Sequence, residues 1–329
     1  MRAIQISQTG GPEVLQEVEL PTPLPAAGEI RVKAEAIGIG RPDVLVRKGI
    51  YKWMPPLPTI PGSELVGVVD ALGAGAPAAL QGRRVLVSAR ELPVRGGCCA
   101  EYICVPADAV FVLPETISPI DAVSLPNLQF VNALWTCNGG RAVQSLYIPG
   151  VAGGVGSTLT QFARFKGVQV LGSTSTPEKA AYALANGVDH VVAGDATTLP
   201  EQVMALTQGR GVDLAIDQLG GDSLIACLRS LAPMGMVVSI NVILGLPKDD
   251  VFKEMRALLS RSLSLRTFSM HTLDEDVSVR RGLMEDAIAQ MAQGQVKAPP
   301  AKLLKMSEIQ LAHQWLDAGA SMGKIVIQP

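Results

Sequence analysis

The chain has 329 residues, a length at which one hydrophobic core usually gives way to two domains. Hydrophobic residues make up 48% and charged residues 18%, which excludes a disordered chain, and the formal net charge of −2 provides no basic field for nucleic acid. No apolar stretch reaches the ~18 residues of a membrane span, and the first residues do not have the pattern of a secretory signal, so we expect a cytoplasmic location and no membrane partner.

Short alternating segments dominate the first third of the chain and predict a mostly β region. From about Pro119 the pattern changes to helices that alternate with short apolar strands. The predicted strands of the first region are residues 2–7, 13–19, 29–37, 64–71, 84–88 and 100–105.

The five cysteines do not predict a disulfide framework, because their number is odd and the chain is long. Cys98, Cys99 and Cys104 lack the paired spacing of structural zinc sites, and the three histidines are scattered along the sequence. We therefore expect no metal site, cysteines in the core or in strands, and histidines at the surface.

Residues 145–166 have the pattern of a strand, a tight turn and a helix. The apolar run ends at Gly150, and the chain continues through Gly153, Gly154 and Gly156 into a helical segment at 157–166. A helix that begins where a strand ends directs its free N–H groups and positive dipole end at the turn, where a pyrophosphate binds. Val151 replaces the first glycine of the G-x-G-x-x-G pattern, so the glycines alone leave an ordinary strand-to-helix turn open.

The next predicted strand, 168–172, is followed by hydroxyl side chains and a cation instead of an acid. A carboxylate near this position would bind the ribose 2′-hydroxyl of NADH, but the sequence offers residues 173–176, all Ser or Thr, and then Lys179. This set suits a 2′-phosphate and favours NADPH. The alternative is that Ser175 or Thr176 only caps the following helix.

The rest of the chain predicts a parallel, doubly wound sheet, because its strands are separated by helical crossovers. Beyond Leu265 the pattern predicts two more helices, 279–293 and 307–318, and a last strand, 324–327. The sheet's remaining strands are predicted at 190–192, 212–217 and 236–240, and its helices at 177–186, 199–208 and 222–230.

Six short motifs, in this order, resemble those of the zinc-independent quinone oxidoreductases of the medium-chain dehydrogenase/reductase superfamily, and the resemblance covers almost the whole chain. The motifs are Ile37–Asp43, Val46–Tyr51, Ile60–Gly67, Val151–Gly156, Asp217–Gly221 and Gly323–Val326.

The resemblance implies an α/β architecture with two domains. A GroES-like, β-rich catalytic domain is expected from both chain ends, residues 1–120 and 266–329, and a Rossmann domain with a doubly wound parallel sheet from residues 121–265, which binds NADPH. It also implies a homodimer through the strand near residues 263–269, whose alternating pattern is typical of an edge strand.

Zinc-dependent relatives carry a cysteine ligand near Gly40 and a histidine ligand where this chain has Ser63. Without these ligands no Lewis acid polarises an alcohol, so alcohol dehydrogenation by zinc is disfavoured. Quinones and α,β-unsaturated carbonyls remain as hydride acceptors, because the arriving charge is delocalised onto an oxygen.

The resemblance also assigns site residues. Tyr51 is the catalytic candidate, as a donor beside the nicotinamide, or else it packs against Trp53. Asn132 either contacts the nicotinamide region or lies on a helix surface, and Lys324 either contacts the cofactor or neutralises a nearby carboxylate. The predicted cofactor-binding residues are Tyr51, Asn132, Ala152, Gly153, Gly154, Val155, Gly156, Gly172, Ser173, Ser175, Lys179, Ser239, Asn241 and Lys324.

The expected function is therefore NADPH-dependent hydride transfer to a quinone or an enone, without zinc. One alternative is an enoyl-thioester reductase, whose coenzyme tail needs a basic entrance such as Arg83, Arg84, Arg90 and Arg95. The other is an NADPH-binding protein with little turnover, because Gly40 and Leu45 make the expected substrate side less polar than in relatives.

Overall fold

A computed structural model describes all 329 residues, Met1–Pro329, and contains fifteen strands and ten α-helices. The strands are β1 Arg2–Gln5, β2 Gln16–Glu19, β3 Glu29–Ile39, β4 Glu64–Leu72, β5 Arg84–Ser88, β6 Tyr102–Pro106, β7 Val110–Val112, β8 Ser145–Pro149, β9 Gln169–Ser173, β10 His190–Val192, β11 Val212–Asp217, β12 Leu231–Ser239, β13 Ser264–Thr267, β14 Ala301–Lys305 and β15 Lys324–Gln328. The helices are α1 Arg41–Arg47, α2 Pro119–Ala122, α3 Leu125–Trp135, α4 Gly154–Phe165, α5 Pro177–Ala185, α6 Leu199–Leu206, α7 Asp222–Arg229, α8 Val251–Ala257, α9 Val277–Ala292 and α10 Ile309–Asp317.

Contacts between Cα atoms divide the chain into two compact units. Unit 1 consists of Met1–Pro126, Ile288–Gln293 and Ala298–Pro329, and unit 2 of Asn127–Ala287 and Gly294–Lys297. Residues 266–287 fall in unit 2, and the predicted division at residues 120 and 265 stays a prediction.

Unit 1 is built on a seven-stranded sheet with the order β14-β15-β3-β4-β5-β7, in which β6 also pairs with β3. Side chains at alternate positions of β3, from Ile30 through Val32, are buried, as a strand with one face on a core requires. The last strand of the chain, β15, pairs antiparallel with β3. The predicted GroES-like, β-rich domain is therefore confirmed.

Unit 2 is built on a six-stranded parallel sheet with the order β10-β9-β8-β11-β12-β13. The chain runs outward from β8 to β10 and then returns to place β11 on the other side of β8. The switch point of the sheet therefore lies between β8 and β11, where ligands of such folds bind at the carboxyl ends of the strands. This confirms the predicted doubly wound, Rossmann-like domain.

Several local predictions need correction. Helix α4 begins at Gly154 instead of residue 157, because its N-cap is Gly153, which has no side chain to mark the start. The sequence pattern did not identify α1, α8 or β14. The prediction of surface histidines is wrong for His313, which is 1% exposed on α10.

No helix combines the length and the hydropathy needed to cross a membrane.

Candidate active site

The glycine-rich turn of unit 2 lies at the switch point of the sheet. Strand β8 ends at Pro149, Gly150 has a φ of +65°, and α4 begins after the cap residue Gly153. Helix α4 has no acidic residue in its first turn, so no side chain of that turn neutralises the positive end of its dipole. The first turn of α4 therefore presents free backbone N–H groups to an anion, as predicted for a pyrophosphate, whereas the Gly153 N–H donates to the Gly150 carbonyl at 3.1 Å.

Gly156 lets α4 approach the turn closely. A Cβ on this residue would lie 2.7 Å from the carbonyl oxygen of Val151 and 2.9 Å from its Cα, both of them backbone atoms. The Ser157 hydroxyl donates to the carbonyl of Ala152 at 3.2 Å, which ties the same helix turn to the loop. Glycine is thus required at position 156 for packing of helix against turn.

Gln218, directly after β11, holds the turn from its other side, and Asp217, the last residue of β11, holds the loop that follows the strand; sequence reasoning did not assign either a role. The Gln218 side-chain amide donates to the carbonyls of Pro149 at 2.8 Å and Gly150 at 3.0 Å. The buried Asp217 carboxylate accepts from the Gly220 N–H and the Ser223 hydroxyl. The only sequence signal for these two residues was the motif Asp217–Gly221, and it did not predict the contacts of the Gln218 side-chain amide.

Lys179, the cation predicted to bind the 2′-phosphate, lies beside Ser175, whose hydroxyl is predicted to bind the same phosphate. Lys179 Nζ is 3.0 Å from the Ser175 Oγ, at the exposed start of α5. Thr176 is the N-cap of this helix, and its hydroxyl accepts from the Lys179 N–H at 3.3 Å. The capping role thus belongs to Thr176, and both Ser175 and the Lys179 ammonium are placed at the carboxyl end of the sheet.

Ser173 ends β9 directly beside the end of β8. It pairs with Pro149 across the ladder, and its hydroxyl lies 3.2 Å from the hydroxyl of Tyr147. The residue before it, Gly172, is also buried. The structure therefore brings together the predicted set Ala152–Gly156, Gly172, Ser173, Ser175 and Lys179.

The other predicted cofactor residues of unit 2 lie on different elements. Ser239 ends β12, and the Asn241 side-chain oxygen accepts from the Val242 N–H at 2.9 Å. Asn132 is buried on α3, and its amide donates to the Leu283 carbonyl at 3.3 Å. The alternative of a surface asparagine is therefore wrong for Asn132.

In unit 1, the predicted catalytic Tyr51 follows α1 in an irregular segment and is half-buried. Its ring centroid is 5.7 Å from that of Trp53, tilted by 56°. Trp53 itself lies under two cations, Lys52 and Arg95, at 5.1 and 5.0 Å from the ring centroid. Packing against Trp53 is thus present, and the role of Tyr51 as a donor stays a prediction.

A buried polar cluster surrounds the positions where zinc-dependent relatives have ligands. Asp43, 1% exposed on α1, accepts from the Gly40 N–H at 2.7 Å and from the Ser63 hydroxyl at 2.8 Å. Glu64 forms an ion pair with the buried Lys324. The neutralising role for Lys324 is therefore present, and these contacts do not support its prediction as a cofactor contact.

This cluster does not fit a metal ion. The oxygens of Asp43 and Glu64 are already engaged by donors of the protein, and Gly40 and Ser63 provide neither a thiolate nor an imidazole. No group of three or more His, Cys, Asp or Glu side chains is arranged to hold a metal anywhere in the chain. Burial raises the pKa of the Cys98 and Cys99 thiols, and the nearby Asp43 carboxylate raises the pKa of both further. Both thiols therefore stay protonated.

The basic entrance considered for a coenzyme tail is weakened by one ion pair. Arg84 forms a salt bridge with Glu35 at 2.6 Å, and its guanidinium makes a second hydrogen bond to the same carboxylate. Arg84 is therefore not available as an open cation for a phosphate tail.

Asp43 is expected to make the protein less stable as the pH rises from about 4 to about 6. Burial raises its pKa from 3.8 to about 6, an effect that Glu64 reinforces and that Gly40, Ser63 and Lys324 oppose. The folded protein thus holds a proton that the unfolded chain has released, and this stabilisation is present below pH ~4 and lost above pH ~6, by ~3 kcal/mol.

The measurement is the free energy of unfolding in urea at pH 4 and pH 7. From pH 4 to pH 7 the wild type should lose ~3 kcal/mol of its free energy of unfolding relative to Asp43→Asn, because an amide does not titrate. Asp286→Asn, on the exposed face of α9, is the control. An equal difference between Asp43→Asn and wild type at both pH values would contradict the prediction.

Each of the two units contains a match to a different family model. Residues 26–115 match the model of the alcohol dehydrogenase GroES-like domain, and residues 154–285 match that of the zinc-binding dehydrogenases. The quinone oxidoreductase of Mus musculus is 30% identical over 275 residues, which are 81% of this chain and 82% of that protein. The chain belongs to the zinc-independent quinone oxidoreductase family of the medium-chain dehydrogenases/reductases.

Solved structures of this family superpose on the whole chain. The mycobacterial protein Rv1454c, complexed with NADPH, has a TM-score of 0.86 at 29% identity, with 100% of both chains covered. The Escherichia coli quinone oxidoreductase, complexed with NADPH, has a TM-score of 0.82 at 26% identity, also with 100% of both chains covered. The family resemblance inferred from the six motifs is therefore confirmed. The residues at Gly40 and Ser63 agree with the zinc-independent branch.

Proposed function

We propose that this chain is an NADPH-dependent oxidoreductase that reduces a quinone or an α,β-unsaturated carbonyl without zinc. The observation that carries the proposal is the arrangement at the carboxyl end of the unit 2 sheet, where a glycine turn, a helix N-terminus and the Lys179–Ser175 pair lie on adjacent elements. The relatives that are complexed with NADPH support the choice of cofactor.

The chain's residues divide the binding of the cofactor among them. The N–H groups of Gly154–Gly156, in the first turn of α4, bind the pyrophosphate, while Ser173, Ser175 and Lys179 bind the 2′-phosphate. Ser239 and Asn241 contact the nicotinamide half. Bound NADPH supplies a hydride from nicotinamide C4 to the acceptor.

The acceptor gains one hydride and one proton, and the protein must allow both to arrive. Tyr51, as a phenol, donates a hydrogen bond to the acceptor oxygen, where charge develops, and that oxygen takes its proton from Tyr51 or from water. A quinone or an enone needs no stronger acid, because the negative charge is spread over a conjugated system.

The proposal extends to a homodimer. Strand β13 is at the edge of the unit 2 sheet and pairs only with β12, which leaves one row of its backbone groups unpaired. Two apolar side chains in the segment before β13 are strongly exposed, Phe252 on α8 at 71% and Leu259 at 55%. A second copy of the chain would cover the unpaired edge of β13 and these exposed side chains.

The proposal is tested by anaerobic oxidation of NADPH by the purified protein in the presence of 1,4-benzoquinone, a small enone or crotonyl-coenzyme A. Turnover with the quinone or the enone is expected. Turnover with crotonyl-coenzyme A alone would favour an enoyl-thioester reductase instead. Tight NADPH binding with no turnover of any acceptor would favour a binding protein.

Replacing Lys179 with alanine is expected to weaken NADPH binding about 10- to 100-fold and to leave NADH binding unchanged. A hydrogen bond to a charged group contributes ~1.5–3 kcal/mol, and only NADPH has the phosphate to accept it. Dissociation constants for both nucleotides give the result. Lys253→Ala, an exposed lysine on α8, should change neither, and a parallel loss of NADH binding in Lys179→Ala would contradict the assignment.

A further inference from the structure

Tyr147 is a polar side chain in the centre of the unit 2 core. It lies on β8, is 0% exposed, and packs in the apolar cluster that contains Leu171 and Val237. Its hydroxyl has one hydrogen-bond partner, the Oγ of Ser173, at 3.2 Å. Ser173 is 7% exposed, at the last position of β9.

The chemistry of the phenol fixes the direction of this hydrogen bond. Burial raises the pKa of Tyr147, and the nearby Cys227 and Asp217 raise it further, so the phenol keeps its proton. A buried O–H group that finds no acceptor is strongly unfavourable, and Ser173 Oγ is the acceptor within reach. Tyr147 is therefore the donor.

The Ser173 hydroxyl has one proton of its own, and it cannot direct that proton back at the Tyr147 hydroxyl, which is already donating. The Ser173 hydroxyl makes no other hydrogen bond within the protein, so its proton is left for a ligand on the side away from Tyr147. On the outward side lies the carboxyl edge of the sheet, where the Ser175 hydroxyl and the Lys179 ammonium start the next helix.

We propose that Tyr147 is a positioning residue that holds the Ser173 hydroxyl as a hydrogen-bond donor toward the adenosine 2′-phosphate, and that it thereby adds to selectivity for NADPH over NADH. This inference rests on the proposed function, since it concerns the same cofactor site.

The selectivity follows from what each ligand offers. A phosphate only accepts hydrogen bonds, and a bond to a charged oxygen is about twice as strong as one between neutral groups. The ribose 2′-hydroxyl of NADH is neutral and can donate or accept. A serine with a fixed outward proton thus gains more with the phosphate, whereas a serine free to rotate serves either ligand.

The test measures dissociation constants of NADPH and NADH for the full chain and for Tyr147→Phe, Ser173→Ala and the double variant. Tyr147→Phe keeps the ring and removes the donor, so we expect the NADPH preference to fall about three- to tenfold through weaker NADPH binding. In the Ser173→Ala background the same change should have no further effect, because the hydroxyl that it positions is gone. Titrations with 2′,5′-ADP and 5′-AMP should show the same pattern.

Tyr102→Phe, on β6 of unit 1, is the matched control and should leave the preference unchanged. An unchanged preference in Tyr147→Phe, an equal loss for both nucleotides, or a persistent effect in the Ser173→Ala background would each overturn the inference. Ser173→Ala alone tests the serine's part should Tyr147→Phe fail to fold: it must lower the NADPH preference. A wild type that binds NADPH and NADH equally would instead contradict the proposed function.

Discussion

Replacing Gly156 with alanine is expected to weaken NADPH binding by one to two orders of magnitude. The added methyl would lie 2.7 Å from the Val151 carbonyl oxygen, and this backbone atom cannot rotate away as a flexible side chain can. The first turn of α4 must move relative to the glycine turn, at a cost of ~1–3 kcal/mol, and its N–H groups lose their alignment with the pyrophosphate.

Binding of NADPH by calorimetry, with circular dichroism to check the fold, measures this effect. Gly282→Ala is the matched control, because Gly282 lies within α9 and a Cβ there would meet no atom within 4 Å apart from those of its own stretch of helix. That variant should bind NADPH normally and be slightly more stable, since alanine is the better helix former. Wild-type affinity in Gly156→Ala would refute the role of this contact.

Replacing Asp317 with alanine is expected to destabilise the protein by ~3–5 kcal/mol, because it removes the partner of a buried charge. Arg47 is 0% exposed, and its Nη2 lies 2.6 Å from the Asp317 carboxylate, which also pairs with Lys48 at 2.6 Å. Two further nitrogens of Arg47, Nε and Nη1, have no hydrogen-bond partner. His313 offers no compensation, since burial, reinforced by Arg47, lowers its pKa to about 4 and keeps it neutral at pH 7.

The free energy of unfolding in urea at pH 7 gives the comparison. Asp70→Ala is the control, since Asp70 pairs with Arg31 at 2.9 Å in a more exposed setting, with side-chain exposures of 27% and 17%. Because solvent still reaches the Arg31 guanidinium, Asp70→Ala leaves no fully buried unpaired charge, and we expect it to lose less stability than Asp317→Ala. If Asp317→Ala loses no more free energy of unfolding than Asp70→Ala, the buried charge of Arg47 does not depend on Asp317 and the prediction is wrong.

The sequence predicted best where neighbours in the chain are also neighbours in space. The strand, turn and helix of residues 145–166 form one local unit, so glycine spacing and apolar patterning were sufficient to predict it. The same holds for Thr176 and Lys179, where a capping residue and a cation lie within one helix turn. The parallel sheet also follows from repeated local units.

Contacts between distant segments could not be predicted in this way. Tyr147 and Ser173 are on neighbouring strands, and the register that brings their hydroxyls together depends on the pairing of β8 with β9. Arg47 and Asp317 are separated by 270 positions, and nothing near His313 in the sequence indicates that it lies buried beside them. Strand β14 forms because β15 offers it a parallel partner.

The start of α4 has a consequence for the lifetime of the protein. Helices α5 to α8 each carry an acidic residue in the first turn, whereas α4 has none. Such a residue typically contributes ~0.3–1 kcal/mol, so α4 lacks this stabilisation until an anion binds. A ligand present at ~100 times its dissociation constant adds ~2.7 kcal/mol to the stability of the folded state. We therefore expect the supply of the nucleotide to set how long each molecule resists proteolysis, separately from its use as a source of hydride.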